Sequence, residues 1–588
     1  MSLVNQPAYA PDASAVRSPA LWLLGLAALL ASAVLVHAPA TIFDVGVRNI
    51  DFNTHYAWAV QFAEALRGGA PYPRWMWRGQ FSLGEPALLF YSPLFYYLCG
   101  ILRLATSNMW EAMRIVFILS TMLTGVYGWR LLRQFTDDAH AFAGAVALQW
   151  SPVIFMLCHW YNDFPWAVGF CALVALTYYL SRPNALRQWV DIPVSLAIAA
   201  LALIHILSAL MALICFSFLS LRFIRRWRWG APFPRPVACW FISAGLGLGL
   251  AMFYLFPALD SMSLIAADVW TTQWTPWQNF AFPIFTAFAF GMRWFSFQWT
   301  MPAIVLLSIV AATLYARSQP DRSAPLNETL ALMLVVAWVS LFFASELSYP
   351  LWLLDSPLRK IQFPDRFLYI GAATGVIANL LALCDLRRRG GSRFWRVILI
   401  TPLVLGVAAT AVLGAKLSWI DGKPLALATD ETSPYRGLPE YHIRTQGPRW
   451  QGYYDAGGLA AECAERRLTC TTLAQTSRAQ LWSVTTGGPV DLRLPLLAFP
   501  AWQMTIDGAP TPYVIDPATG LITVTIPFGA HRIAASWQRL PSEWAGLFMS
   551  DLAALILVMV ALWRRFPRAA GYPIRPGIDP IRRRDRGE

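Results

Sequence analysis

The sequence predicts an α-helical polytopic membrane protein of about twelve transmembrane helices with a small C-terminal β domain on the outer side. Three observations carry this prediction. Of 588 residues, 57% are hydrophobic and 13% charged, and the mean hydropathy is +0.46; soluble domains carry roughly 25% charged residues. Long apolar runs recur, among them residues 21–36, 237–256, 302–314 and 552–563. A polar stretch with regularly spaced Gly turns occupies residues 416–543. The net charge of +13 and pI near 9.5 would suit a nucleic-acid binder, but Arg concentrated in cytoplasmic loops is the simpler cause, and no nucleic-acid partner is expected.

Residues 1–19 are polar and Pro/Ala-rich with one base, Arg17, and are expected in the cytoplasm. The first apolar run ends at Val36-His37-Ala38-Pro39, which resembles a cleavage region only superficially. Residues 20–36 are therefore expected to be a retained first span. A long outer loop, residues 39–111, follows. Its stretch 87–104 is apolar enough to span but is expected to lie in or dip into the outer leaflet, because counting it as a span would place Arg130 and Arg133 outside.

Basic clusters order the remaining spans. They fall at Arg130/Arg133, Arg182/Arg187, Arg222/Arg225/Arg226/Arg228, Arg387 to Arg396, and Arg564/Arg565 with the tail 564–588. With all of them cytoplasmic, each apolar stretch between two clusters crosses an even number of times. Residues 142–157 and 166–180 then flank a short outer loop, His159-Trp160-Tyr161-Asn162-Asp163. Residues 194–221 require two short helices broken at His205, each below the ~20 residues a span normally needs. Spans at 237–256, 302–314, 330–343, 367–383, 397–413 and 544–563 complete the set. They leave outer loops carrying Asp260, Asp268 and Arg293, and then residues 345–365.

In the polar stretch, turns at Gly457-Gly458, Gly487-Gly488, Asp507-Gly508 and Gly520 separate strand-like segments 480–485, 521–527 and 531–537, the pattern of a small sandwich. Six of the eight cysteines lie in or beside apolar runs. Cys463 and Cys470 stand alone in the outer domain, where a disulfide is expected. A zinc pair is the alternative, although no second Cys/His pair lies nearby.

Any chemistry must come from acids and bases on the outer face, because no Gly-rich phosphate loop, His-Glu-x-x-His or Gly-x-Ser-x-Gly motif is present. Asp51 is the leading candidate. A helix over residues 52–66 places His55 one turn away on the same face, and the carboxylate there can take a proton from an acceptor hydroxyl. The competing role is an N-cap, which Asp also fills well. Asp44 is a second possible base in the same loop. His159 and Asp163 are likewise four apart; together with Asp51 and His55 they could hold a divalent metal, or they could belong to a solvated loop. Arg74, Arg78, Arg293, Arg359, Lys360 and Arg366 suit phosphate binding, against the alternative of snorkelling at the membrane surface.

The order Asp51…His55-Tyr56…Gly68-Gly69…Tyr72-Pro73-Arg74-Trp75…Phe90-Tyr91-Ser92-Pro93-Leu94…Tyr96-Tyr97 resembles bacterial membrane proteins labelled 6-pyruvoyl-tetrahydropterin synthase-related. Gln362-Phe363-Pro364-Asp365-Arg366-Phe367-Leu368 resembles a later element of theirs, with Asp365 in place of an aromatic. The segment Phe499-Pro500-Ala501-Trp502 to His531 is similar to the outer domain of related glycosylation proteins. Pterin synthases use a His-x-His zinc pair that this chain lacks. The architecture instead resembles the GT-C superfamily of polyprenyl-phosphate-dependent glycosyltransferases.

That resemblance implies an enzyme of a bacterial inner membrane that moves a sugar from a lipid-linked donor to a glycan, lipid or protein acceptor. It implies Asp51 as base, with His55 and Asp163 positioning acceptor or metal. Arg74, Arg78, Arg359 and Arg366, with Tyr91, would bind the donor. A transporter of lipid-linked sugars would need ionisable residues within the spans, and these are sparse here. A non-catalytic scaffold would share the architecture.

Overall fold

The computed structural model describes residues 19–47, 50–225, 227, 232–269, 279–284, 300–319, 325–424 and 434–565. It is a mostly helical, multi-pass membrane protein with a C-terminal β domain. Among the described residues, eight helices are long and apolar enough to cross a membrane: Pro19–Val36, Met109–Leu132, Asp138–Tyr161, Thr300–Ser318, Leu326–Ala344, Pro364–Arg388, Arg393–Asp421 and Pro541–Arg565. The expected span at 237–256 is a bent pair, Arg235–Leu250 and Met252–Asp260, turned by 78°. The remaining three expected spans are shorter apolar helices, Phe164–Leu180, Ile192–Ile204 and Ile206–Ser220.

The break at His205 lies where its sequence context placed it. His205 is extended (φ −155°, ψ 101°) and starts the next helix by accepting from the Ser208 N–H. The second half continues as the helix Ile206–Ser217. Its end packs Phe218 against Phe343, which stacks on Phe367 beside Arg366, while Ser217 accepts from the Trp240 indole. Each half is shorter than the ~20 residues a span normally needs.

Residues 87–104 do not form one helix. Ala87–Phe90 and Leu94–Leu102 are separated by Tyr91-Ser92-Pro93, and neither is long enough to span. Ser92 Oγ fills the His205 break, donating to the Ala202 carbonyl at 3.0 Å and accepting from the Ile206 N–H at 3.0 Å. The first long loop is therefore bolted into the bundle at the point where a helix is interrupted.

Two helices set the axis of the site. Phe164–Leu180 begins at Asp163 and ends next to Arg182; Leu368–Arg388 begins just after Arg366 and ends at Arg387 and Arg388. At their far ends the basic loops meet. Arg387 pairs with Asp137 at 2.5 Å, Arg133 with Asp138 at 2.8 Å, and Arg182 with Asp191 at 2.7 Å. Arg564 donates to the Val190 carbonyl.

The β domain has two antiparallel sheets. One runs Thr469–Gln475, Ala479–Thr486, Gly529–Trp537, Trp502–Ile506 and Ala509–Pro510 in spatial order; the other runs Val490–Leu497, Leu521–Ile526 and Val514–Ile515. Alternating burial along Ala479–Thr486 puts Trp482 and Val484 in the core between them. Cys463 and Cys470 are joined in a disulfide that ties the Gly458–Glu465 helix to the first strand.

Candidate active site

Asp51 and His55 stand one turn apart in the helix Ile50–Arg67. Asp51 is inside the first turn, where an acid complements the helix dipole, and does not occupy the cap position itself. Asp163 caps Phe164–Leu180, accepting from the Trp166 N–H at 3.3 Å. Arg366 sits on the short turn Pro364–Phe367. These four side chains, with Tyr91 and Lys360, line one cavity of about 550 Å³.

The cavity has two characters. Its charged lining comprises the carboxylates of Asp51, Asp163 and Glu440 and the cations Lys360 and Arg366. Most of the remaining lining is apolar. Ile206, Leu207, Leu210 and Leu213 form one face of the helix after His205 and meet Leu248, Leu255 and Leu259 from the bent pair. Leu259 is 58% exposed, so this apolar lining reaches the surface.

Electrostatics link the acids to the Arg. Burial raises the pKa of Asp163 to about 6, with Asp51 adding to the rise and Arg366 opposing it. Burial also raises Asp51, again opposed by Arg366. Arg366 is therefore the cation that favours the charged form of both carboxylates against burial. Its guanidinium is fixed by the Ile361 carbonyl at 2.9 Å and Gln362 Oε1 at 3.2 Å, and lies over the rings of Phe363 and Trp166. Gln362 and Asn162 both take positive φ (64° and 57°), a backbone strain held at each of the two loops that present charged groups to the cavity.

His55 is buried, which depresses its pKa to about 3 and leaves it a neutral imidazole. Its Nδ1 shares a 2.7 Å hydrogen bond with Tyr96 Oη, and its ring meets Tyr91 edge-on. It is built to orient neighbours rather than to carry charge.

Several expected site residues lie elsewhere. Arg74 pairs with Glu543 at 2.7 Å, both side chains buried, and Arg78 pairs with Glu64 at 2.9 Å. Arg74 thereby ties the first loop to the last helix and Arg78 ties two parts of that loop together, and neither lines the cavity. Arg359 is exposed and also outside the lining. Asp44 accepts from the Trp110 indole and pairs with Arg114 at 3.4 Å. His159 turns away into the bundle: its Nε2 is bonded to His37 Nδ1 at 2.9 Å, and His37 Nε2 to Thr121 Oγ1 at 2.8 Å. The proposed His159–Asp163 metal pair is thus separated by the hydrogen bonding of His159, and among the described residues no group of three or more His, Cys, Asp or Glu side chains is placed to hold a metal ion. Arg293 lies outside the described residues.

Sequence reasoning missed Glu440 and Tyr441, which reach the cavity from the segment entering the β domain. They sit in a polar stretch with no periodic signal. His205 was noticed only as a helix break, yet it lines the cavity.

No protein-family model matches the chain, and none of the curated proteins matches it in sequence. Solved structures show a distant likeness. The arabinofuranosyltransferase AftD from Mycobacteria is 14% identical with a TM-score of 0.41, over 70% of this chain and 28% of that one. Its R1389S mutant gives 13% and 0.38, over 68% of this chain and 28% of that one. The oligosaccharyltransferase AglB from Archaeoglobus fulgidus, in complex with an inhibitory peptide and a dolichol-phosphate, is 12% identical with a TM-score of 0.40, over 68% and 56% of the two chains. The chain thus spans well under two thirds of each of these proteins, and at such scores its function is argued from the cavity alone.

Proposed function

We propose that this protein is a membrane glycosyltransferase of GT-C type that takes a sugar from a lipid-phosphate donor. One observation carries the proposal: Asp51, Asp163 and Arg366 share a cavity that is also lined by leucines, one of them, Leu259, exposed at the surface. A lipid-linked sugar phosphate has the same two characters, an apolar tail and an anionic head next to the reacting carbon.

In this scheme the lipid lies along Leu207, Leu210, Leu213, Leu255 and Leu259, and Arg366 and Lys360 hold the phosphate. Asp51 takes the proton from the acceptor hydroxyl as its oxygen bonds to the anomeric carbon. The bond from that carbon to the phosphate oxygen breaks, and the lipid phosphate leaves with its negative charge stabilised by guanidinium. Asp163 has committed an oxygen to the Trp166 N–H and so serves better to orient the acceptor or Arg366 than to accept the proton. His55 and Tyr91 form the wall beside the base.

The same scheme places the cavity on the outer face of a bacterial inner membrane. The meeting of Arg133, Arg182, Arg387 and Arg564 with their partners at the opposite end supports that orientation under the positive-inside rule. Membranes of a strain lacking the chain should accumulate lipid-phosphate sugar, and the wild-type gene but not Asp51→Asn should clear it. No accumulation, or clearance by both, would reject glycosyl transfer through Asp51.

A further inference from the structure

A second cavity, of about 240 Å³, lies where four parts of the chain meet. The first loop supplies Tyr72, Arg74 and Tyr97; the helix Met252–Asp260 supplies Phe253. The β domain supplies Ser477, Arg478 and Trp537, and the last helix supplies Glu543 and Leu547 after the connecting Arg539. Three Arg face one Glu. Glu543 is already committed, to Arg74 at 2.7 Å and to the Leu540 N–H at 3.2 Å.

Arg74 gives the second observation. It is 7% exposed, its Nε and Nη2 are used by Glu543 and the Phe253 carbonyl, and its Nη1 is buried without a hydrogen-bond partner. An unmet guanidinium N–H is costly in a buried setting. Arg478 spends one N–H on the Gly69 carbonyl at 3.3 Å, and Arg539 lies over the Trp544 ring, so neither is neutralised by an acid among the described residues. Leu547 and Phe253 form the apolar border, at the point where the last helix enters its spanning segment.

We propose that this cavity binds a phosphate anion, held by Arg478 and Arg539 above the buried Arg74–Glu543 pair and closed by Tyr72 and Tyr97. Guanidinium groups with spare donors suit phosphate oxygens, and the volume accommodates a phosphate with a small headgroup. Its position at the start of a membrane helix admits two sources, an anionic phospholipid or free phosphate. Bound there, the anion clamps the β domain to the first loop and the last helix. The site is separate from the cavity of Asp51 and stands whether or not that cavity transfers sugar.

The test uses the purified full-length protein in a neutral detergent, followed by thermal unfolding. The probes are dihexanoyl-phosphatidylglycerol, dihexanoyl-phosphatidylcholine and inorganic phosphate. The expected result is a saturable rise in Tm with phosphatidylglycerol and none with phosphatidylcholine. The half-saturating concentration should rise roughly tenfold or more in Arg478→Gln/Arg539→Gln, whose side chains are exposed and whose loss leaves the fold intact. A matching rise with inorganic phosphate assigns the site to the free anion, and its absence assigns it to the lipid. An equal rise with phosphatidylcholine, no rise with either anion, or an unchanged response in the double variant overturns the proposal.

Discussion

Trp166 carries Arg366. The guanidinium lies 5.5 Å from the centroid of the indole, while the backbone N–H of the same Trp fixes Asp163 and the ring of His205 stacks at 18° to the indole plane. One residue at the start of one helix thus sets the relative positions of a cation and a carboxylate. Arg366 in turn is the charge that both Asp51 and Asp163 feel.

Arg366→Lys follows directly from that geometry. Lysine keeps the charge but loses the planar contact with Trp166 and Phe363 and the paired bonds to Ile361 and Gln362. Apparent affinity for a lipid-phosphate donor should fall about tenfold, with kcat changed less. Arg366→Ala should reduce both. Donor titrations that leave KM untouched in both variants would reduce Arg366 to an interfacial anchor.

Glu85 gives a pH dependence of stability. It is buried, accepting from the Trp58 indole at 2.9 Å, from Gln80 at 3.3 Å and from Tyr435, which reaches it from the segment before the β domain. Gly437, at φ 78°, packs so closely on the carboxylate that no side chain could stand there. Burial raises its pKa to about 7, well above the usual carboxylate range. A folded pKa above the unfolded one means that the native state holds the proton more tightly, so this contribution is present at low pH and is lost as pH rises through 7. Tm should therefore decline between pH 5 and 8, and Glu85→Gln should flatten that decline. A decline of the same steepness in Glu85→Gln would assign it to other groups.

The cysteine pair offers a simple check on the β domain. Cys463 and Cys470 close a short loop whose cross-link should contribute about 2–3 kcal/mol, through the unfolded state. Cys463→Ser/Cys470→Ser should lower the unfolding temperature of the β domain while leaving the membrane helices intact by circular dichroism. Free thiols at both positions in protein purified without reductant would remove the premise.

Much of this architecture was legible because apolar period and Arg placement are strong signals in a membrane protein. The His205 break could be read from one ionisable residue in a 28-residue apolar run. Asp51, His55, Asp163, Tyr91 and Arg366 come together from chain segments far apart, and residue chemistry next to a bilayer was enough to select them. The same criterion also selected Arg74, Arg78 and His159, because it cannot tell a cation facing a ligand from one facing Glu543 or Glu64, or an imidazole facing another imidazole. Such pairings depend on helices adjacent only in space. Glu440 and Tyr441 were missed for the converse reason: they belong to a connecting segment whose path no local pattern fixes.

The decisive measurement concerns Asp51. It stands within the first turn of its helix, so Asn should preserve the local fold, whereas a proton acceptor is lost. Turnover by Asp51→Asn should fall by roughly 10²–10⁴ with Tm unchanged. The pH profile identifies the base more sharply. Asp51 must be ionised to accept a proton, and burial holds its pKa above the usual carboxylate range, so kcat/KM should rise along an acid limb displaced upward from that range. Asp163 adds a like charge beside it. Asp163→Asn removes that charge, and the acid limb should move to lower pH even if the maximal rate drops. Arg366→Ala removes the opposing cation, and the limb should move up. Opposite displacements in these two variants would mark Asp51 as the titrating base. A limb that disappears in Asp163→Asn would transfer the role to Asp163, and full turnover in both Asn variants would exclude both carboxylates as the base.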